Sequence, residues 1–316
     1  MLALHFDGAP ELRELPQPEP APGEVLIRVS LAGICGTDLQ ILKGYHNFRG
    51  IPGHEFVGVV AGPEDSPWLG RRVVGEINIG CRACDLCRNG LSQHCRERRV
   101  LGIKNHHGAF AQYLTLPAAN LHPVPPEVPD EAAVFTEPLA AALRVAETAP
   151  ISPEDRILVV GDGSLGLQTS WVLALHGAQV TLTGHHPEHL ALAAPYGVSA
   201  CLEPDLPPGD YHVVVEASGS PGGLQLALSR IRPLGAVILK STYVDRFPLD
   251  PADLVVPEVR LVGSRCGPFP PALRLLRRGW VDPRPLVAKT FPLSEGLAAL
   301  EWAQRPGVLK VLLDCR

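Results

Sequence analysis

The sequence predicts an α/β chain in two parts, a loop-rich β region followed by a doubly wound parallel sheet. Three observations carry this. At 316 residues the chain is too long for one ordinary core, so two domains are expected. The first part is rich in Gly and Pro and holds short β-like runs, EVLIRVSLAGI, FVGVV and RRVVGEI. From Arg156 onward, short apolar runs alternate with helical patterns, as a parallel sheet covered by helices requires.

The elements follow in order. EAAVFTEPLAAALRVAETA sets Ala and Leu at helical spacing and reads as the bridge between the two parts. ILVV, VTLT, YHVVVEASG, GAVILK and VRLVGS are the predicted strands of the second part. LGLQTSWVLALHG, PEHLALAAPYG and PGGLQLALSRI are the helices between them. After Gly267 no further such unit occurs, and the tail ends in a strand-like GVLKVLL.

Composition narrows the function. With 46% hydrophobic and 19% charged residues the balance is that of a globular protein. A net charge of −5 offers no basic footprint for nucleic acid or anionic lipid. The opening MLALHFDGAPELREL lacks the pattern of a signal peptide, and no stretch reaches the length of a membrane span. The expectation is a cytoplasmic protein, where thiols stay reduced and a tight cysteine cluster reads as a metal site.

Such a cluster exists. Cys81, Cys84, Cys87 and Cys95 are spaced C-x2-C-x2-C-x7-C and hold half of the chain's eight cysteines. Four thiolates can close a tetrahedron around one Zn²⁺, with no position left for water or substrate. The expected role is a structural staple. His94, next to Cys95, could compete as a ligand, but four sulfurs suffice.

RILVVGDGSLGL places Gly161, Gly163 and Gly166 in G-x-G-x-x-G register between a strand and a helix. Gly161 would permit the tight turn, Gly163 the approach of a pyrophosphate and Gly166 close helix–strand packing. The amides around Ser164 and Leu165 would face the phosphates at the helix N-terminus. The next strand should end in an acid on the adenosine ribose if the cofactor is NAD, but here it ends in Gly184-His185-His186. Gly184 would leave room for a 2′-phosphate and either His could donate to it. That points toward NADP over NAD, unless the two histidines are simply solvated.

A second set of ligand-type residues is scattered: Cys35 in AGICGTDLQ, His54 and Glu55 in IPGHEFVGVV, and Glu137 in TEPLAAAL. Taken with the four-cysteine lobe, GDGSLG, VVVEASG and the terminal LKVLL, these motifs resemble the zinc-dependent medium-chain alcohol dehydrogenase superfamily. The similarity is greatest to its polyol, threonine and glucose dehydrogenase branch.

The resemblance implies a GroES-like β-rich catalytic domain, residues 1–137 and 267–316, carrying a structural zinc lobe at about residues 80–96. A Rossmann doubly wound parallel sheet domain, residues 138–266, would be inserted in it, with the active site in the cleft. Cys35, His54, Glu55 and Glu137 would hold a catalytic zinc, the two carboxylates exchanging with water. Thr37 would take the alcohol proton, and Asp38 would orient His54. Ser264 would lie near the nicotinamide and Lys310 would meet the pyrophosphate. The implied reaction is hydride exchange between an alcohol, such as a polyol, sugar or secondary alcohol, and NAD(P), yielding the aldehyde or ketone. The implied assembly is a homodimer or homotetramer.

Two departures stand out. Many relatives place a proton-relaying His five residues after the zinc Cys, where this chain has Gln40. The connector from Gly58 to Val73 is also short. The alternatives are a zinc-independent quinone or enone reductase, or a non-catalytic dinucleotide sensor on the same scaffold.

Overall fold

The computed structural model describes residues 1–242 and 247–316. Two compact units emerge, Met1–Glu137 with Ala272–Arg316, and Pro138–Pro271. Seven elements carry the sites: β1 (Glu24–Ile34), α1 (Gly36–Leu42), β2 (Glu55–Gly62), β3 (Arg156–Val160), α2 (Ser164–Ala174), β4 (Gln179–Gly184) and β5 (Lys310–Asp314).

The first unit is built on a seven-stranded sheet. Its order is Val287–Pro292, β5, β1, β2, Arg72–Gly75 and Leu121–Pro123, with Tyr113–Pro117 also pairing with β1. β1 is rich in β-branched and aliphatic residues and is buried at nearly every position, as a central strand requires. The C-terminal tail does form the expected strand, and it returns to the first unit. β5 runs antiparallel to β1 with Val311 opposite Ile34, while β2 pairs along the other edge with Glu55 opposite Gly33. The start of β5, the end of β1 and the start of β2 therefore meet at one end of the sheet.

In the second unit all five pairings of a six-stranded sheet are parallel. The order is Ser199–Leu202, β4, β3, Tyr211–Glu216, Ile231–Leu239, Arg260–Gly263. In chain order this is 3-2-1-4-5-6, the doubly wound dinucleotide-binding arrangement. Leu158, Val160, Tyr211, Val214, Leu224, Ala227 and Val237 form its core. The predicted helix PEHLALAAPYG proves shorter than expected. Pro187–Leu190 is α-helical, and Ala191–Tyr196 tightens to a 3-10 helix around Pro195, which lacks the N–H an α-helix needs. Among the described residues no helix is long and apolar enough to cross a membrane.

Candidate metal centre and dinucleotide site

Ligand atoms of Cys35, His54 and Glu55 all lie within 4.8 Å of one another. The sheet register puts them there. β1 ends at Ile34, Cys35 becomes the N-cap of α1, and β2 begins at Glu55 beside Gly33. Gly33 is required at this point, since a Cβ would stand 2.4 Å from Glu55 Oε2. Glu137 is not in this group. It lies in the first turn of the helix Thr136–Thr148, so the structure brings together three of the four expected donors. Thr37 sits half-buried in the first turn of α1.

Asp38 organises the cluster from behind. Its Oδ2 accepts from the Cys35 amide at 2.8 Å, and its Oδ1 accepts from the Gly53 amide at 3.2 Å. Oδ1 also lies 3.1 Å from His54 Nδ1, the orienting contact expected for a ligating imidazole. With Nδ1 so engaged, Nε2 is the nitrogen left for a metal. Burial alone would lower the proton affinity of His54, but Asp38 and Cys35 together outweigh it and raise it well above the ordinary value.

Lys310, expected at the pyrophosphate, is buried in the first unit at 4% exposure, with Nζ 2.6 Å from Glu55 Oε2. The reason is its position at the first residue of β5, one step beyond the Val311–Ile34 pair and so beside Cys35. Burial opposes its charge, yet Glu55 and Cys35 raise its pKa above the usual value. The other carboxylate oxygen, Glu55 Oε1, is buried with no hydrogen-bond partner. A buried anionic oxygen left open beside a thiol and an imidazole suits a Zn²⁺ ion, and three protein donors leave one tetrahedral position free.

The four-cysteine lobe has different geometry. Its four Sγ atoms share a 4.8 Å neighbourhood, with Cys81–Cys87 at 4.0 Å and Cys84–Cys95 at 3.9 Å. A ZnS₄ tetrahedron with bonds of about 2.3 Å has sulfur–sulfur edges of about 3.8 Å, so the lobe fits zinc closely. Amides of Ala83 and Cys84 lower the Cys81 thiol to about 6, which favours the thiolate ligand. Gly80 contributes by absence, because a Cβ there would press to 2.9 Å on Cys87 Sγ. His94 is not one of the grouped donors.

In the second unit the glycine-rich loop leads from β3 into α2. Gly161 has φ +114°, and a Cβ would strike the Ala217 backbone at 2.7 Å. At Gly166 a Cβ would lie 1.8 Å from Gly161 O, whereas at Gly163 it would meet nothing within 4 Å. This is the cradle a dinucleotide needs, tight on the protein side and open before the helix N-terminus formed by Ser164 and Leu165. Ser264 is buried, its hydroxyl accepting from Thr148 Oγ1 at 3.3 Å.

The end of β4 departs from expectation. Gly184 leaves no vacant room there, because a Cβ would lie 2.2 Å from Asp162 Cγ. Asp162 Oδ2 accepts from the amides of His185 at 2.9 Å and His186 at 2.7 Å, and stands 3.1 Å from His186 Nδ1. His185 Nε2 faces Glu203 at 3.4 Å. Asp162, which the sequence reading passed over, organises this corner through those contacts. Its signal was an acid inside the glycine motif of a chain whose second strand ends without one.

A Rossmann unit, together with a β-rich unit that holds an open three-donor cluster and a closed four-sulfur cluster, defines a metal-dependent, dinucleotide-linked oxidoreductase. Comparison with known proteins agrees. Residues 21–126 match the alcohol dehydrogenase GroES-like domain. The chain is 30% identical to an erythritol/L-threitol dehydrogenase of Mycolicibacterium smegmatis, over 90% of this chain and 88% of the relative. It is 32% identical to an L-threonine 3-dehydrogenase of Streptomyces avermitilis, over 96% and 95%.

Among solved structures it is similar to alcohol dehydrogenase TADH from Thermus sp. ATN1, with TM-score 0.88, 31% identity and full coverage of both chains. It is also similar to an alcohol dehydrogenase from Escherichia coli CFT073 complexed with NADH, with TM-score 0.90, 27% identity and 99% of each chain. A zinc-binding dehydrogenase from Sinorhizobium meliloti 1021 bound to NADP gives TM-score 0.88 and 27% identity, over 99% of this chain and 98% of that one. The chain belongs to the zinc-type medium-chain alcohol dehydrogenase superfamily.

Proposed function

We propose that this protein transfers hydride between an alcohol and NAD(P), using a zinc ion held by Cys35, His54 and Glu55, with a polyol or another hydroxyl-rich secondary alcohol as substrate. The carrying observation is the Cys35–His54–Glu55 cluster, half-buried at Cys35 and buried at His54 and Glu55, with its unpartnered Glu55 Oε1 and Asp38-oriented imidazole. When bound, zinc supplies Lewis acidity that makes an alcohol hydroxyl easier to deprotonate.

The chain's own residues do the rest. Asp38 fixes the His54 ring and the Cys35 backbone, so two donors are preset before any ion arrives. Lys310 neutralises part of the Glu55 charge and holds one oxygen of that carboxylate, leaving the other free. Thr37, two residues from Cys35 in the first turn of α1, would take up the substrate proton. The Gln40 amide does not titrate near neutral pH, so onward transfer passes through water or another group rather than through that side chain. Gly161, Gly163, Ser164, Leu165 and Gly166 receive the pyrophosphate.

The named activities of the curated relatives, on erythritol, L-threitol and L-threonine, support a substrate with a polar group next to the reacting hydroxyl. The reductase and sensor alternatives gain no support, since each would leave a clustered thiol, imidazole and carboxylate without a use. A dimer or tetramer fits the apolar exposure of Leu234, Val255 and Val256 near the edge strand Arg260–Gly263. The test is a panel of polyols, aldoses, amino alcohols and simple alcohols with both cofactors, before and after chelation. Reduction of cofactor by a polyol, abolished by chelator and restored by zinc, supports the reading. Activity that survives complete zinc removal would refute it.

A further inference from the structure

We propose that Asp162, from inside the glycine-rich loop, supplies the acid of the adenosine-ribose site and selects NAD(H) over NADP(H). This rests on the dehydrogenase reading and deepens it. In a doubly wound sheet the ribose diol lies over the carboxyl end of the second strand, where an acid accepts from the 2′-hydroxyl. Here that strand is β4, and it ends in Gly184, with no acid of its own.

The Asp162 carboxylate fills the space beside Gly184 so closely that a Cβ there would stand 2.5 Å from Oδ2. The acid has moved from the second strand to the loop after the first. Its carboxyl group still arrives at the same corner, 6% exposed as a residue and anchored by two backbone amides.

That anchoring removes what a 2′-phosphate would need. The amides of His185 and His186 are spent on Oδ2, as is His186 Nδ1 at 3.1 Å. The His185 ring faces a second carboxylate, Glu203. The segment Gly184–Leu190 contains no Lys or Arg. A dianionic phosphate would meet a buried carboxylate with its best donors already taken, while a neutral 2′-hydroxyl can donate to Oδ1. Selectivity then comes from repulsion of the wrong cofactor as well as attraction of the right one. The NADP preference read from Gly184-His185-His186 is thereby reversed.

The test is equilibrium binding to the purified zinc-loaded protein, followed by fluorescence for NADH and NADPH and by calorimetry for 5′-AMP and 2′,5′-ADP. The expected result is NADH binding at least about tenfold tighter than NADPH, with 5′-AMP preferred over 2′,5′-ADP in the same sense. Asp162→Asn preserves shape and should bring the NADH/NADPH ratio to within about threefold of unity, mainly by gaining NADPH affinity. The wild-type measurements stand alone if that variant folds poorly.

A wild-type preference for NADPH, or an unchanged ratio in folded Asp162→Asn, overturns the proposal and leaves the dehydrogenase reading intact. Binding of neither cofactor overturns both. Asp162, His186 and His189 also bring donor atoms within 4.8 Å of one another. A third zinc per chain that vanishes in Asp162→Asn would therefore overturn the proposal in favour of a metal site.

Discussion

Replacing Asp38 with Asn tests how much of the metal centre is built by its support. Asp38 is 1% exposed and serves three groups: the Cys35 amide, the Gly53 amide and His54 Nδ1. An Asn has one acceptor oxygen. If it is kept toward His54 and Gly53, the NH₂ group turns against the Cys35 N–H, which held Oδ2 at 2.8 Å. The Cys35 N–H and the Asn NH₂ then face each other, two donors without an acceptor, at about 1–3 kcal/mol each. The remaining contacts also lose the carboxylate's charge, so His54 becomes a weaker ligand. Zinc affinity at this centre should fall about 10- to 100-fold.

Zinc release to a chromophoric chelator, titrated at fixed pH, reads this directly. Wild type should hold about two zinc ions per chain, one in each donor set. Asp38→Asn should surrender one at much lower chelator concentration and keep the other unchanged. If both ions resist the chelator as in wild type, the assigned support of Cys35 and His54 by Asp38 is wrong.

Three further outcomes are expected. Cys87→Ser should lose one zinc and several degrees of Tm, while turnover per folded molecule stays within about twofold; a large drop in that turnover would place chemistry in the lobe. Gly166→Ala sets a Cβ 1.8 Å from Gly161 O. It should weaken NADH binding at least about tenfold with zinc content intact, and unaltered binding would contradict the cradle. Lys310→Met leaves Glu55 Oε2 buried without its ammonium. In metal-stripped protein the unfolding free energy of the first unit should drop by about 3–5 kcal/mol, and unchanged urea unfolding would refute the buried pair.

What could be read from the chain alone was whatever sits in short sequence windows. The four-cysteine spacing and the strand–glycine loop–helix run state their geometry locally, and the structure gives both the shape a ligand needs. The Cys35, His54 and Glu55 set came from resemblance, and its physical basis is the pairing of Gly33 with Glu55 across two antiparallel strands. Where contacts depended on register between distant strands, local reading failed. Lys310 looked like a cofactor residue because nothing in LKVLL tells that β5 begins beside Cys35, with Lys310 255 residues from the Glu55 it pairs with. Gly184 looked like open space because the side chain that fills it belongs to a different loop, 22 positions earlier.

The central claim is that the chemistry belongs to the scattered Cys35 cluster and not to the more conspicuous four-cysteine lobe. The direct measurement is single-turnover hydride transfer from the best alcohol of the panel to bound cofactor, in wild type and Cys35→Ser, with cofactor affinity determined on both. The account predicts that Cys35→Ser binds cofactor as wild type does but transfers hydride at least about a thousandfold more slowly. A Cys35→Ser protein that transfers hydride within about tenfold of the wild-type rate would contradict it.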